Sequence, residues 1–284
     1  MDERRSKLTP DEIERYSRQM LVKEWMGDKG QLALMHSRVL VVGAGGSGSS
    51  LLYYLAAAGV GHISVCDGDS VRLSNLNRQI LHTTDRLGVN KARSAYEALR
   101  LLNPCIDIEV CESNIDRKNI SELAGRCDII CSAADDRNKG ETYRVIEEYA
   151  FSEGIAVSWG GGYYMGGFLT MIEPGLSPCI SCFMNHFEKS KDAIPKDMIT
   201  ISDDGAMHHD GPNPIVGAAA GIAGSMQAME VMRYLIGEGN KLTGKLLMFQ
   251  FRKGANFGIY DMSDIKRPEC RLCGSNPNLK KYRS

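Results

Sequence analysis

The stretch VLVVGAGGSGSSLLYYLAAAGV, residues 39–60, decides how the rest of the chain is read. An apolar run, Val39 to Val42, ends in Gly43-Ala44-Gly45-Gly46-Ser47-Gly48, and small and apolar residues follow. An apolar run without alternation predicts a strand buried on both faces. The residues after the glycines predict a helix reaching to about Ala58, ended by Gly59 and Gly61. Gly43, Gly45 and Gly48 satisfy G-x-G-x-x-G at this strand–helix junction, where backbone N–H groups and the helix N-terminus offer positive potential to phosphate oxygens. Asp67, nineteen residues past Gly48, closes the next strand and stands where a carboxylate bonds ribose hydroxyls. Taken alone, loop and acid predict NAD; a tight turn with no ligand is the plainer alternative.

The pattern spreads outward from this junction. Strands are expected at 38–42, 62–66, 107–111, 128–132 and 155–159, alternating with helices at 91–102, 120–124 and 139–153. That alternation predicts a Rossmann-like, doubly wound α/β fold with a mainly parallel sheet through about residue 160. Segments 168–173, 244–251 and 256–260 alternate and predict antiparallel strands continuing the sheet. Residues 1–37 read as an N-terminal helical segment, with helical spacing over 11–35 that puts Ile13, Tyr16, Met20 and Leu21 on one side, and a second short helix around Asp28 to His36. Residues 38–274 read as one nucleotide-binding domain and 275–284 as a tail. A long, polar, mobile loop is expected at about 184–213. The helix after it, 214–236, carries Gly217, Gly221 and Gly224, small residues that permit close backbone approach to a neighbour.

Composition excludes several classes. Thirty-four basic residues against thirty-five acidic ones leave a net charge of -1, which argues against a general nucleic-acid binder. The N-terminus is charged, without a signal-type apolar core. The longest low-charge stretch, 215–229, is shorter than the ~20 residues of a membrane span. A cytoplasmic chain is the expectation. Nine cysteines, four of them in two CxxC pairs, fit a metal-bearing intracellular protein better than a disulfide scaffold.

The segment DGDSVRLSNLNRQIL, 67–81, changes the choice of nucleotide. Asn75, Asn77, Arg78 and Gln79 follow the second strand directly, a polar cluster with no use in hydride transfer. A triphosphate needs donors on several sides, and Lys91 at the next helix start reaches toward the same phosphates. Asp135 and Asp136 follow the fourth strand, where carboxylates facing a phosphate loop suit Mg²⁺. Helix capping is the plain alternative for Asp135, and surface charge for Arg78 and Lys91.

Several motifs stand in order: RYSRQ (15–19), GAGGSG (43–48), DGDSVRLSNLNRQ (67–79), GVNKA (88–92), AADD (133–136), PCISC (178–182) and PECRLCG (268–274). Together they resemble the ThiF/MoeB/HesA adenylyltransferases, relatives of the ubiquitin-activating enzymes, over about residues 11 to 274. The resemblance implies Mg·ATP as the nucleotide and AMP transfer to the C-terminal carboxylate of a ubiquitin-like sulfur-carrier protein. It implies that Gly46, Asp67, Asp69, Ser74, Asn75, Asn77, Arg78, Gln79 and Lys91 bind ATP, with Asp135 on the metal. It also implies a homodimer in which Arg18 serves the phosphates of the other subunit; by spacing alone Arg18 is an exposed helix charge. A ribosomal peptide or small carboxylate as acceptor is the alternative within this chemistry. An NAD-dependent oxidoreductase, or a non-catalytic nucleotide-binding scaffold, is the alternative outside it.

Cys179-Ile180-Ser181-Cys182 and Cys270-Arg271-Leu272-Cys273 supply four thiolates suited to a closed, structural zinc knuckle. Two redox pairs are the alternative, although neither CxxC clearly starts a helix. Cysteines 66, 105, 111, 127 and 131 lie in or beside strands and read mostly as buried thiols. Three features depart from the family. Asp135-Asp136 replaces Asp-Asn, and the loop 202–214 carries His208 and His209 but no cysteine for a covalent step. Tyr163 and Tyr164 follow Gly160–Gly162, where an extended tail could pass close to the backbone, although core or dimer packing is the plainer and favoured reading of the two tyrosines.

Overall fold

A computed structural model of the chain describes residues 6–134, 140–189, 214–238, 242–252 and 254–275, with side chains for all of these except 187–189. Strands β1 (Arg38–Val42), β2 (His62–Cys66), β3 (Asp107–Cys111), β4 (Ile129–Ser132) and β5 (Ala156–Tyr163) are followed by β6 (Gly166–Ile172), β7 (Lys245–Gln250) and β8 (Asn256–Asp261). They form one eight-stranded sheet in the order β3-β2-β1-β4-β5-β6-β7-β8. Pairing is parallel from β3 through β5 and antiparallel from β5 through β8. The chain leaves β1 toward β2 on one side and later enters β4 on the other. The crevice between those exits is the switch point where open α/β sheets bind ligands.

Helices cover both faces. One face holds α3 (Gly46–Ala58), α4 (Lys91–Leu102) and α8 (Gly217–Leu235), which contribute Leu51, Leu55, Ala95, Leu99, Ala228 and Val231 to the core. The other holds α5 (Ile120–Ala124), α6 (Glu141–Glu153) and α7 (Ile180–Lys189), with Ile120, Val145, Ile146, Ile180 and Phe183. Val41 and Ile129 face the first set while Leu40 and Ile130 face the second, which is why these strands read as unbroken apolar runs.

The second short helix expected at 28–36 is present: α1 (Pro10–Met20) and α2 (Asp28–His36) are separated by a turn in which Met26 and Gly27 take positive φ. Four expectations are corrected. Of the four residues expected on one side of α1, Tyr16 is buried and Met20 half-buried, while Ile13 and Leu21 are exposed rather than packed. Polar contacts anchor α1 instead. The Asn103 side chain donates to the Tyr16 hydroxyl at 2.9 Å, and Gln19 donates to the carbonyl of Ala58 at 2.8 Å. The Tyr16 ring also lies where a side chain at Gly59 (φ +83°) would stand, its nearest atom 2.5 Å from such a Cβ. Next, β5 runs on through Gly160–Gly162 and turns at Tyr164 (φ 48°) into β6, so the glycine–tyrosine segment is a hairpin. Residues 184–189 belong to α7 rather than to the long loop, because Ile180 and Phe183 give that segment a buried face; the rest of that loop, 190–213, lies outside the described residues. Finally, only two of the three helix glycines make close contacts. A Cβ at Gly224 would stand 2.0 Å from the Ser47 carbonyl, and one at Gly217 would stand 2.3 Å from the Asn77 carbonyl, while Gly221 faces open space.

The Gly224 contact locks α8 against the first turn of α3. Gly224→Val is expected to destabilise the fold by about 3 kcal/mol, the scale of overpacking against backbone that cannot yield. Gly221→Ala should be neutral or slightly stabilising. Urea denaturation of the two variants measures the contrast, and equal midpoints would refute it.

Candidate nucleotide site and cysteine centre

The glycine loop sits at the C-terminal edge of β1, and its glycines have distinct reasons. Gly43 (φ +99°) lies so close to β4 that a Cβ would stand 2.8 Å from Ala134 Cα. A Cβ at Gly48 would stand 2.0 Å from the Gly43 carbonyl, so the helix could not start so near the strand. At Gly46 the obstacle is Ala220 of α8, at 2.9 Å, with the Arg78 side chain beyond it at 3.5 Å. Gly45 is open apart from Gln79. No side chain caps the N-terminus of α3, and none caps α8. The first-turn amides of α3 therefore point into the crevice without a side-chain acceptor, as an anion site requires.

Ala44, inside the loop, is held on both sides. Its N–H donates to Asp67 Oδ2 at 2.8 Å. Its carbonyl lies 2.9 Å from His82 Nε2, and His82 Nδ1 lies 2.9 Å from Ser94 Oγ. A carbonyl can only accept, so Nε2 carries the proton; in the neutral ring Nδ1 then accepts from Ser94. Asp67 Oδ1 also accepts from the amide of Asp69 at 2.9 Å. Asp67 is thus a strut of the loop as well as a candidate for ribose, and each oxygen keeps a lone pair free. Sequence reasoning missed His82; its place three residues past Gln79 was the one available signal.

The polar cluster packs onto the loop. The Arg78 stem lies over Gly46, and its Nη1 donates to the Ser74 carbonyl and to Asn77 Oδ1, both at 2.9 Å. Asn75 accepts from the amide of Arg72 and so shapes the turn that presents Arg78. Gln79 is buried, and its Oε1 has no hydrogen-bond partner, an unspent acceptor beside the loop. Lys91 is buried and pairs with Asp69 at 2.8 Å. Asp135 and Asp136 lie outside the described residues, as do His208 and His209. Tyr163 and Tyr164 are half-buried, Tyr163 near the ring of Phe168 at 6.3 Å. Arg18 is exposed at the end of α1, whose Gln19 bonds Ala58 at the last turn of α3. Thirteen residues of helix, roughly 20 Å, separate that point from the glycine loop. Arg18 does not join the site of its own chain.

Burial holds the His82 imidazole below the usual histidine range, with Lys91 and Arg86 adding repulsion and the Ala44 carbonyl and Asp67 opposing. A pKa lower in the folded than in the unfolded chain means that acid favours unfolding. The stabilisation is complete above about pH 6.5 and is lost as pH falls below it. Unfolding free energy should therefore drop between pH 7.5 and 5, and part of that drop should vanish in His82→Gln. An identical drop in the variant would assign it elsewhere.

The second centre lies on the other face of the sheet. Cys179, Cys182, Cys270 and Cys273 bring their sulfurs within 4.8 Å of one another. Cys179 and Cys270 are 3.6 Å apart, Cys182 and Cys273 3.5 Å. Tetrahedral zinc with bonds of ~2.3 Å sets sulfurs ~3.8 Å apart, so four thiolates at this spacing fit that ion. Contrary to expectation, the first CxxC does start a helix, since Cys179 directly precedes α7. The four-sulfur grouping, not the absence of a helix, separates the site from a redox pair.

Neighbouring side chains on α6 grip both knuckles. Glu147 accepts from the amide of Ser181 at 3.0 Å and from its hydroxyl. Glu148 pairs with Arg271 inside the second knuckle and with Arg117 at 2.6 Å. Arg267 donates to Cys182 Sγ at 3.4 Å. The neighbouring Cys179 and Cys273 sulfurs, with Arg267, favour the Cys182 thiolate against its burial. Burial pushes the Glu147 carboxyl up to about 7, against the two donors of Ser181.

Among the described residues no helix is long and apolar enough to cross a membrane. Comparison with protein families matches residues 16–272 to the ThiF family. The protein named adenylyltransferase and sulfurtransferase MOCS3 of Drosophila sechellia is 36% identical over 272 residues, covering 96% of this chain and 56% of that protein. The chain thus spans about half the length of such relatives. The SAMP-activating enzyme E1 of Haloferax volcanii is 33% identical over 267 residues, covering 94% of this chain and 91% of that one. Among solved structures, E. coli MccB with ATP superposes with a TM-score of 0.74 at 21% identity, covering 92% of this chain and 74% of MccB. PaaA gives 0.71 at 22%, covering 91% and 76%. These likenesses establish the α/β fold with its mixed sheet.

Proposed function

The chain belongs to the ThiF family, and from that premise we propose that it is an ATP-dependent adenylyltransferase. It activates the C-terminal carboxylate of a ubiquitin-like sulfur-carrier protein as an acyl-adenylate and releases pyrophosphate. The observation that carries this reading is the company of the glycine loop: Arg78 lies over Gly46, the buried Lys91 stands nearby, and the amides of α3 are uncapped. A dinucleotide site needs only the loop and the acid. These extra cations suit a polyphosphate under attack.

The chemistry asks for positioning and charge rather than a protein nucleophile. A carboxylate oxygen attacks the α-phosphorus, although both partners are negative. The new O–P bond forms as the bond to the bridging oxygen breaks, and pyrophosphate departs with the electron pair. Arg78 and Lys91 offset the repulsion and the growing charge on the leaving group. Lys91 is held by Asp69 until a phosphate competes for it. Asp67 and His82 hold the Ala44 peptide, so the loop amides need not reorganise. Gln79, Asn75, Asn77 and Ser74 complete the wall. Mg²⁺ belongs to the proposal through Asp135 and Asp136, and zinc through the four cysteines as a structural ion. Such a thiolate centre suits a reducing compartment, the cytoplasm.

Arg18 enters as a residue of the partner in a homodimer, because its own loop is a helix-length away. Arg18→Ala and Arg78→Ala subunits, each inactive alone, should therefore regain activity when mixed. About a quarter of the wild-type rate is expected, since half the dimers are mixed and each has one intact site. No recovery would place Arg18 outside the site.

ATP–pyrophosphate exchange with added acceptors tests the whole reading. Exchange stimulated by a small protein ending in Gly-Gly supports it. Stimulation only by a short peptide moves the acceptor class, and nicotinamide binding with ATP excluded overturns it.

A further inference from the structure

Cys66 and Cys111 end adjacent parallel strands, in register as direct neighbours. Cα atoms of such neighbours stand ~4.8 Å apart, inside the ~4.4–6.8 Å range a disulfide spans. Their sulfurs are 3.4 Å apart, and both are free thiols. Cys66 is buried, and its thiol donates to the Ser113 carbonyl at 3.1 Å. Cys111 is only half-buried and lies 3.2 Å from the hydroxyl of Ser113. Ser113 and Asn114 are exposed, so solvent reaches Cys111 from that side. Cys105 is exposed as well, but no sulfur partner accompanies it.

The pair is wired to the glycine loop through two backbone bonds. Gly43 donates its N–H to the carbonyl of Cys66 at 2.9 Å, and Asp67 donates its own to the carbonyl of Cys111 at 3.1 Å. Asp67 in turn holds Ala44. A change at these two cysteines therefore reaches the first residue of the loop and its strut together.

We propose that Cys66 and Cys111 form an oxidisable dithiol site, which a small hydroperoxide converts to an inter-strand disulfide that weakens nucleotide binding. The second half rests on the nucleotide reading of the loop; the first does not. The Cys111 thiolate attacks the peroxide, an S–O bond forms, the O–O bond breaks, and hydroxide leaves to become water. The Cys66 sulfur then attacks the Cys111 sulfur, an S–S bond forms, and the S–O bond breaks. The Cys66 proton leaves with the hydroxyl as a second water. Two thiols are oxidised by two electrons and one peroxide is reduced. Most disulfides hold their Cα atoms ~5.5–6 Å apart, so closing the sulfurs from 3.4 Å to ~2.05 Å pushes the ends of β2 and β3 apart by up to ~1 Å under the loop.

The test uses the full chain loaded with zinc and treated with one equivalent of hydrogen peroxide. Remaining thiols are alkylated and peptides mapped by mass spectrometry, with zinc content measured before and after. A peptide linking Cys66 to Cys111 at unchanged zinc is expected. Calorimetry should show ATP affinity falling by about tenfold or more, since a binding constellation has to be held within about 0.5 Å of its productive geometry, with recovery in dithiothreitol. Cys111→Ser should keep its ATP affinity through the same treatment. Alkylation of both thiols, or sulfinic acid on Cys111 without a link, overturns the site. A link with unchanged affinity overturns its coupling to the loop. Should the reduced wild type not bind ATP, the nucleotide reading fails, and the peptide map alone decides the dithiol.

Discussion

Replacing Arg78 by alanine is expected to slow ATP–pyrophosphate exchange by about 10²–10³-fold, the scale on which loss of one preorganised donor acts. The structure sharpens why. The Arg78 stem lies across Gly46, and the guanidinium is held by the Ser74 carbonyl and Asn77 Oδ1. Its orientation is set before any ligand arrives. Arg78→Lys should recover little, because an ammonium cannot bond Ser74 and Asn77 in the same plane and still face a phosphate. Asn77→Ala should cost less than Arg78→Ala and act through orientation. Exchange rates with ATP varied at saturating acceptor separate these effects. Arg78→Ala within a few-fold of wild type would remove this residue from the site.

Loss of the cysteine centre is the second large effect expected. Cys270→Ser should lower bound zinc from about one per chain to under a tenth and destabilise the fold by about 4 kcal/mol or more, the range seen when a structural metal is lost. The reason is local. Cys179, Cys182, Cys270 and Leu272 are buried with Phe183 and Met262 in the core on that face of the sheet, so the centre is a part of that core. Metal analysis and thermal unfolding of wild type, Cys270→Ser and Cys105→Ser check this. Cys105 is exposed and serves as the neutral control. Zinc below half an equivalent in the wild type, with four free thiols, would refute the centre.

Much of this was legible from residues because the signals are local. Val39–Val42, the glycines and the small residues after them fix a strand, a turn and a close-packed helix whatever surrounds them. The cysteines announced their ligand chemistry by type and spacing. Long-range contacts were less legible. His82 was missed, since only the fold brings Ala44 and Ser94 to its two nitrogens. Cys66 and Cys111 read as separate buried thiols, since no local pattern shows which strands become neighbours. The one-sided reading of α1 held for Tyr16 but not for Ile13 and Leu21, because its anchors, Tyr16 and Gln19, work through polar tips on partners distant in sequence. Arg18 needed the family resemblance, as its proposed target lies in another subunit.

The paired glutamates of α6 bear on how the metal centre assembles. Bringing two half-sites together across the 88 residues from Cys182 to Cys270 costs roughly 4 kcal/mol of chain entropy. Glu147 and Glu148 meet part of that cost without an ion, one holding Ser181 and the other Arg271. An incoming zinc ion then finds its four sulfurs nearly in place, so capture should be fast and should follow the docking of the C-terminal segment rather than drive it.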